Sequence, residues 1–223
     1  MPEQPLFVGQ VALIVVDIQG GSALPGKESG IPHMDGAAER IARAEQLLSA
    51  ARAARLPVIF FQEVHRRSGV DFGRELDGAE DVHCVEGEPA TELWPTLRPA
   101  EGEYHLVKRR YSGFIGTEFE LLLRGLNVST LVLIGGLTDV CVHYTFADAH
   151  QRDFYVRVVE DCVGGSSEAR HSASLDAMEY LQAGARRTTE EILGAFASLA
   201  AGHDLPGAPA AMPSMTSVTG ATP

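Results

Sequence analysis

Apolar residues in this chain gather in short, nearly unbroken runs set between longer stretches of helical period. Val11-Ala12-Leu13-Ile14-Val15-Val16, Val58-Ile59-Phe60-Phe61, Leu131-Val132-Leu133-Ile134 and Phe154-Tyr155-Val156-Arg157-Val158-Val159 are too short for globular helices and do not alternate. That is how strands buried on both faces read. Tyr104-His105-Leu106-Val107 and residues 185–188 supply two shorter strands. Between the strands, Asp35 offers an N-cap for a helix whose apolar stripe is Ile41, Ala44, Leu47, Leu48 and Ala51, stopped before Pro57. Thr117 and Glu120 have capping-box spacing for a helix over 118–124, with Gly125 suited to its end. Further helices are expected over 141–152, 168–183 and 189–200. Alternation of this kind predicts parallel pairing with right-handed crossovers. The expected fold is α/β: one doubly wound, Rossmann-like parallel sheet of about six strands with helices on both faces.

In such sheets ligands bind beyond the carboxyl ends of the strands. Asp17, Lys108 and Cys141 each stand at or just past such an end, far apart in sequence. Together they offer a base, an electrostatic partner and a nucleophile, the set that covalent catalysis requires. Cys141 follows a strand, a Gly135-Gly136 break and Thr138-Asp139, and opens a helix. The unpaired N–H groups and positive end of a helix favour negative charge, so the thiol pKa is expected to fall below the usual ~8.5. Read singly, each residue also has a bland explanation: a buried structural cysteine, a loop-capping aspartate, a solvated lysine beside Arg109 and Arg110. The segment 63–103 is polar and aperiodic, and long irregular segments inside compact domains are often functional.

Composition narrows the classes. The chain has 223 residues, 45% of them hydrophobic, enough to bury one full core. A net charge of −12, with Lys108-Arg109-Arg110 as the densest basic run, argues against nucleic acid as a partner. No apolar stretch approaches the ~20 residues of a membrane span. Three cysteines (Cys84, Cys141, Cys162) cannot all pair within one chain, and residues 1–16 lack the pattern of a secretory signal, so a reducing cytoplasm is expected. Cys84 and Cys162 have no nucleophile setting and are read as structural. Residues 1–201 are read as the domain. Residues 202–223, rich in Pro, Ala, Gly, Ser and Thr, are read as a flexible extension or one that lies on a neighbouring subunit.

Three segments carry a resemblance: Val15-Val16-Asp17-Ile18-Gln19, Lys108-Arg109-Arg110-Tyr111-Ser112-Gly113-Phe114 and Gly135-Gly136-Leu137-Thr138-Asp139-Val140-Cys141-Val142. In order and spacing they resemble the signature blocks of the isochorismatase-like cysteine hydrolases, which include nicotinamidases and N-carbamoylsarcosine, ureidoacrylate and biuret amidohydrolases. The resemblance covers residues 11–200 and implies an Asp17-Lys108-Cys141 triad, a cis Gly136-Leu137 peptide, and an oxyanion site made by the N–H groups of Leu137 and Cys141. It also implies a homo-oligomer, dimer or tetramer. The expected activity is hydrolysis of a C–N bond in a small linear amide or ureide through a thioester, with ammonia released and no cofactor. Gln19, His65, Arg66, Tyr111, Phe114 and Gly136 are the candidate pocket residues. Nicotinamidases carry an Asp-x-His pair and a later His that bind a metal; Glu63, His65 and His83 are the corresponding set here, departing from that pattern at the first ligand. No metal is the main expectation. A nicotinamidase-type amidase and a thiol redox or binding protein on the same fold are the alternatives.

Overall fold

In a computed structural model, residues 5–24 and 28–202 are described. The expected extension over 202–223 lies outside the described residues, apart from Gly202. The strands are β1 (Gln10–Val16), β2 (Val58–Glu63), β3 (Tyr104–Lys108), β4 (Val128–Gly136), β5 (Tyr155–Gly164) and β6 (Arg186–Arg187). They form one six-stranded sheet in the order β3-β2-β1-β4-β5-β6. Every neighbouring pair is parallel. The helices are α1 (Ala37–Ala53), α2 (Phe119–Gly125), α3 (His143–His150), α4 (Glu168–Leu181) and α5 (Thr189–Ala200).

The period of two along β1 sorts its residues between two cores. Ala12, Ile14 and Val16 pack with Phe119, Leu123, Phe146 and Met178 from α2, α3 and α4. Val11, Leu13 and Val15 pack on the opposite face with Leu47, Leu48, Ile192 and Phe196 from α1 and α5. Because both faces are covered, β1 has no polar side, which explains its unbroken apolar run. Strand order reverses between β1 and β4, so the crevice at that switch point opens beyond Val16 and Gly136.

Local differences from the expected elements have identifiable causes. The N-cap of α1 is Gly36, at φ 87°, not Asp35, whose carbonyl instead accepts the Arg40 guanidinium. Thr117 Oγ1 accepts the Phe119 N–H at 3.1 Å, but Glu120 turns to Arg152 and Arg124, so no capping box forms. β5 continues past Val159 because the charges of Glu160 and Asp161 pair with Arg186 and Arg43 at its margin. The segment after β4 enters α3 through a π-helical turn, Thr138–Val142, so Cys141 sits inside that wider turn rather than at the first position of a regular α-helix.

Candidate active site

Four strand ends place the reactive groups. Asp17 follows β1 in a left-handed conformation, φ 50°, which aspartate tolerates better than most residues. Gly135, at φ 112°, has no Cβ because one would strike the Val16 carbonyl of the neighbouring strand. The Gly136-Leu137 peptide is cis, as the sequence blocks imply. Lys108 ends β3 in register with Glu63 of β2, so their pairing is set by the sheet itself.

These ends bring Asp17, Lys108 and Cys141 together. Lys108 is 1% exposed, with its Nζ 2.8 Å from Asp17 Oδ2, 2.6 Å from Glu63 Oε2 and 3.3 Å from Cys141 Sγ. The contact to Asp17 is an ion pair without the alignment of a hydrogen bond. Cys141 Sγ lies 3.4 Å from Glu63 Oε2. Glu63 is therefore a fourth member of the centre, a position that its sequence reading as a metal-ligand candidate did not reveal.

Charge and burial set the protonation states. Burial raises Asp17 to about 6, and the Lys108 charge offsets only part of that rise. Burial alone would also raise Glu63, but Lys108 and the hydrogen bonds from His65 and His83 outweigh it and hold this carboxyl well below its usual range. Lys108 is raised despite burial, because Asp17, Cys141 and Glu63 surround it. The expected fall of the Cys141 pKa does not occur. Burial pushes the thiol well up, and Lys108 recovers only part of the shift while Glu63 and Asp17 add to it. Cys141 is thus held as a thiol beside Lys108 and Glu63.

Behind Glu63 lies a second polar cluster. Glu63 Oε1 is 3.2 Å from His65 Nε2 and 3.2 Å from His83 Nε2, and Glu75 Oε2 is 3.0 Å from His65 Nε2. The four donor atoms fall within 4.8 Å of one another. His83 Nδ1 faces the Asp81 carbonyl at 2.7 Å, so the neutral ring turns an Nε2 lone pair toward these carboxylates, while the charged ring donates from Nε2 to Glu63. Both buried oxygens of Glu75 lack an aligned donor. Acceptors facing acceptors, with a hydrogen-bonded imidazole behind them, fit a divalent cation. Without one, burial opposes charging of His65, but the Glu63 and Glu75 carboxylates beside it outweigh burial and raise the imidazole to about 9.

A cavity of about 120 Å³ opens onto the centre, and Asp17, Glu63, His83, Gly136, Leu137 and Cys141 line it. Gln19 and Tyr111 line it as expected. The Gln19 amide is already committed: Oε1 accepts the Glu63 N–H at 3.1 Å, and Nε2 donates to the carbonyls of Glu63 and Thr91 at 3.0 and 2.5 Å. It fixes Glu63 rather than offering a free group. Three expected pocket residues lie elsewhere. His65 is fully buried behind Glu63, stacked on Phe72 at 4.1 Å, because two carboxylates draw it inward. Arg66 has an exposed side chain near Asp71. Phe114 belongs to the core, edge-on to Phe119 and under the Arg152 guanidinium. Sequence reasoning missed Glu75, Glu80, His33 and Arg40, of which the last three line the cavity. They come from loops and a helix start, where no periodicity marks a functional side chain.

A doubly wound sheet with a buried thiol, lysine and two carboxylates at its switch point defines the class structurally. The chain belongs to the isochorismatase family: the Isochorismatase domain model matches residues 11–191. Among curated relatives, the ureidoacrylate amidohydrolase RutB of Methylobacterium radiotolerans is 31% identical over 216 residues, covering 87% of this chain and 84% of the relative. A cysteine hydrolase from Pseudomonas syringae pv. phaseolicola has a similar structure, with TM-score 0.73 and 28% identity over 89% of this chain and 96% of its own. The N-carbamoylsarcosine amidase of Thermoplasma acidophilum gives TM-score 0.67 and 27% identity, covering 81% and 97%.

Proposed function

We propose that the protein is a cysteine amidohydrolase that cleaves the C–N bond of a small linear ureide or amide and releases ammonia, with Asp17, Lys108 and Cys141 as its catalytic residues. The observation that carries this reading is the buried Lys108 ammonium within 3.3 Å of both a thiol and two carboxylates that line the cavity. The names of the relatives, a ureidoacrylate amidohydrolase and an N-carbamoylsarcosine amidase, favour carbamoyl and ureido compounds. Three free cysteines fit a reducing cytoplasm, and among the described residues no helix is long and apolar enough to cross a membrane. We further propose a homo-oligomer.

In this mechanism Asp17 takes the Cys141 proton as sulfur attacks the carbonyl carbon, so the thiolate forms only as it reacts. Lys108 stays protonated and balances the negative charge that passes from Asp17 to sulfur. The oxyanion is assigned to the N–H groups of Leu137, in the cis peptide, and Cys141, in the π-helical turn. As the tetrahedral intermediate collapses, the C–N bond breaks and Asp17 returns its proton to the departing nitrogen. A thioester, or a thiocarbamate from a ureide, remains on Cys141. Water deprotonated by Asp17 then cleaves the C–S bond and restores the thiol.

The buried cluster supports a second component. Glu63, His65, Glu75 and His83 would hold a divalent cation, which would supply Lewis-acid polarisation beside the cavity. None of the steps above uses it. The test of the reading is ammonia release across N-carbamoyl acids, ureidoacrylate, biuret, maleamate and nicotinamide. A ureide or linear amide should lead, and preference for nicotinamide would move the protein to the metal-assisted amidase alternative.

A further inference from the structure

The turn from Leu137 to Cys141 carries both N–H groups assigned to the oxyanion. Within it, the Leu137 carbonyl accepts the N–H groups of Val140 and Val142 at 3.1 and 3.0 Å. Those bonds set the shape of the turn but not its place. Its place is set by the next crossover, the loop between β5 and α4. Asp139 Oδ1 accepts the Ser166 N–H at 2.8 Å, and Asp139 Oδ2 accepts the Ser166 hydroxyl at 2.5 Å. On the adjacent residue, the fully buried Thr138 shares a hydrogen bond of 2.9 Å between its Oγ1 and Nδ1 of His171, in α4.

The anchoring loop is tied on both sides. β5 leads into it with Gly164 in register with Gly136 of β4. At its other end Ser167 caps α4, its hydroxyl accepting the Arg170 N–H at 3.4 Å, and Leu175 and Met178 bury that helix in the core. The Gly165 carbonyl accepts the Met34 N–H at 2.9 Å, which joins the loop to the segment before α1. Gly165 also lets the two polar locks approach each other: a Cβ there would stand 2.9 Å from Asp139 Oδ1 and 2.9 Å from the His171 Cβ. Thr138, Asp139, Ser166 and His171 do not line the catalytic cavity, so they can act on the reaction only through the turn.

We propose that Asp139 and Thr138, held by Ser166 and His171, are positioning residues that aim the Leu137 and Cys141 N–H groups at the oxyanion of the tetrahedral intermediate. The proposal rests on the amidohydrolase reading above. Oxyanion donors work at about 2.7–3.1 Å from the charged oxygen, and a displacement of about 1 Å can cost about a hundredfold in rate. Loss of either lock therefore acts where charge reaches the oxygen, in the transition state. Substrate binding and the thiol stay largely as they were. Two separate ties on adjacent residues suit a turn that must keep its place while charge develops against it.

The test measures kcat, KM and the rate at which iodoacetamide labels Cys141 in Asp139→Ala and Thr138→Val, and in the conservative variants Asp139→Asn and Thr138→Ser. Alkylation needs the thiol but no oxyanion. Asp139→Ala and Thr138→Val should each lower kcat by about ten- to hundredfold, with KM and the labelling rate within about threefold of wild type. Asparagine still accepts the Ser166 N–H and can donate to its hydroxyl, and serine keeps the Oγ, so the conservative variants should recover most of kcat. A kcat within about threefold of wild type in either folded Asp139→Ala or folded Thr138→Val overturns the proposal, as does a KM or labelling rate that worsens in step with kcat. Should Asp139→Ala not fold, the nearly isosteric Thr138→Val decides alone. The positioning and the amidohydrolase reading fail differently. If ammonia is released but the variants keep their kcat, only the positioning is wrong. If no ureide or amide releases ammonia, the activity is wrong, and amide hydrogen exchange then decides the positioning: residues 137–142 should exchange faster in Thr138→Val than in wild type, and unchanged exchange overturns it.

Discussion

Replacing Lys108 with methionine tests the electrostatic core of the site, because the side chain keeps most of its length and apolar volume and loses only its charge. In the native protein that charge lies 2.8 Å from Asp17 and 2.6 Å from Glu63, and the lysine is 1% exposed. Removing one partner from a buried ion cluster leaves uncompensated charge and costs about 3–5 kcal/mol. At about 2–4 °C per kcal/mol for a domain of this size, Tm should fall by about 6–20 °C at neutral pH. The deficit should also depend on pH in a defined sense. Without the cation, the burial that already holds Asp17 at about 6 raises it further above its unfolded value, so the folded variant binds more protons there than the unfolded chain. Stability is then greater at low pH and is lost as pH rises through the raised value, so the deficit should shrink between about pH 7 and 5. Denaturant titration and thermal scans of both proteins measure this directly. A Tm within about 2 °C of the parent at pH 7, or a deficit that grows on acidification, would refute the reasoning.

Other expectations follow from the same geometry. The pH profile of kcat/KM should have an acid limb at about 6, the Asp17 value, with activity falling about tenfold per pH unit below it as the base becomes protonated; a limb near 4 would mean that another base acts. Gly135→Ala should lose at least about 1–3 kcal/mol in denaturant unfolding, because φ 112° and the Val16 carbonyl both oppose a Cβ; an unchanged midpoint would show that the turn can relax. Dialysis against EDTA should leave kcat within about threefold, since the covalent steps proposed above use Asp17, Lys108 and Cys141; a larger loss restored by a divalent metal would place the cation in the chemistry.

What the sequence disclosed follows the physics of each signal. β1 and β4 are buried on both faces, so their apolar runs announce them, and with them the strand ends that carry Asp17 and the Cys141 turn. β5 was legible only to Val159, because the acidic residues that follow look like an ending and their ion pairs are long-range. Glu63 stood out as one of three possible ligands, but its contact with Lys108 depends on the register of β2 with β3. Glu75 and Glu80 lie in an aperiodic segment, and Arg40 occupies an ordinary polar position of a helix. Phe114 misled because an aromatic after a small-residue turn suits a pocket wall and a core equally, and burial decides between them. The thiol pKa was the chief physical error: a dipole argument ignores the desolvation that outweighs it here.

The central claim is that Cys141 forms a covalent bond to the substrate carbonyl. Rapid quenching with the best ureide or amide substrate, followed by intact-mass and peptide mass spectrometry, tests it most directly. The account predicts a burst of ammonia, an acyl adduct on the Cys141 peptide alone, and loss of turnover by about three orders of magnitude or more in a folded Cys141→Ser variant. Substantial turnover by Cys141→Ser, or an adduct on Cys84 or Cys162 in its place, would contradict it.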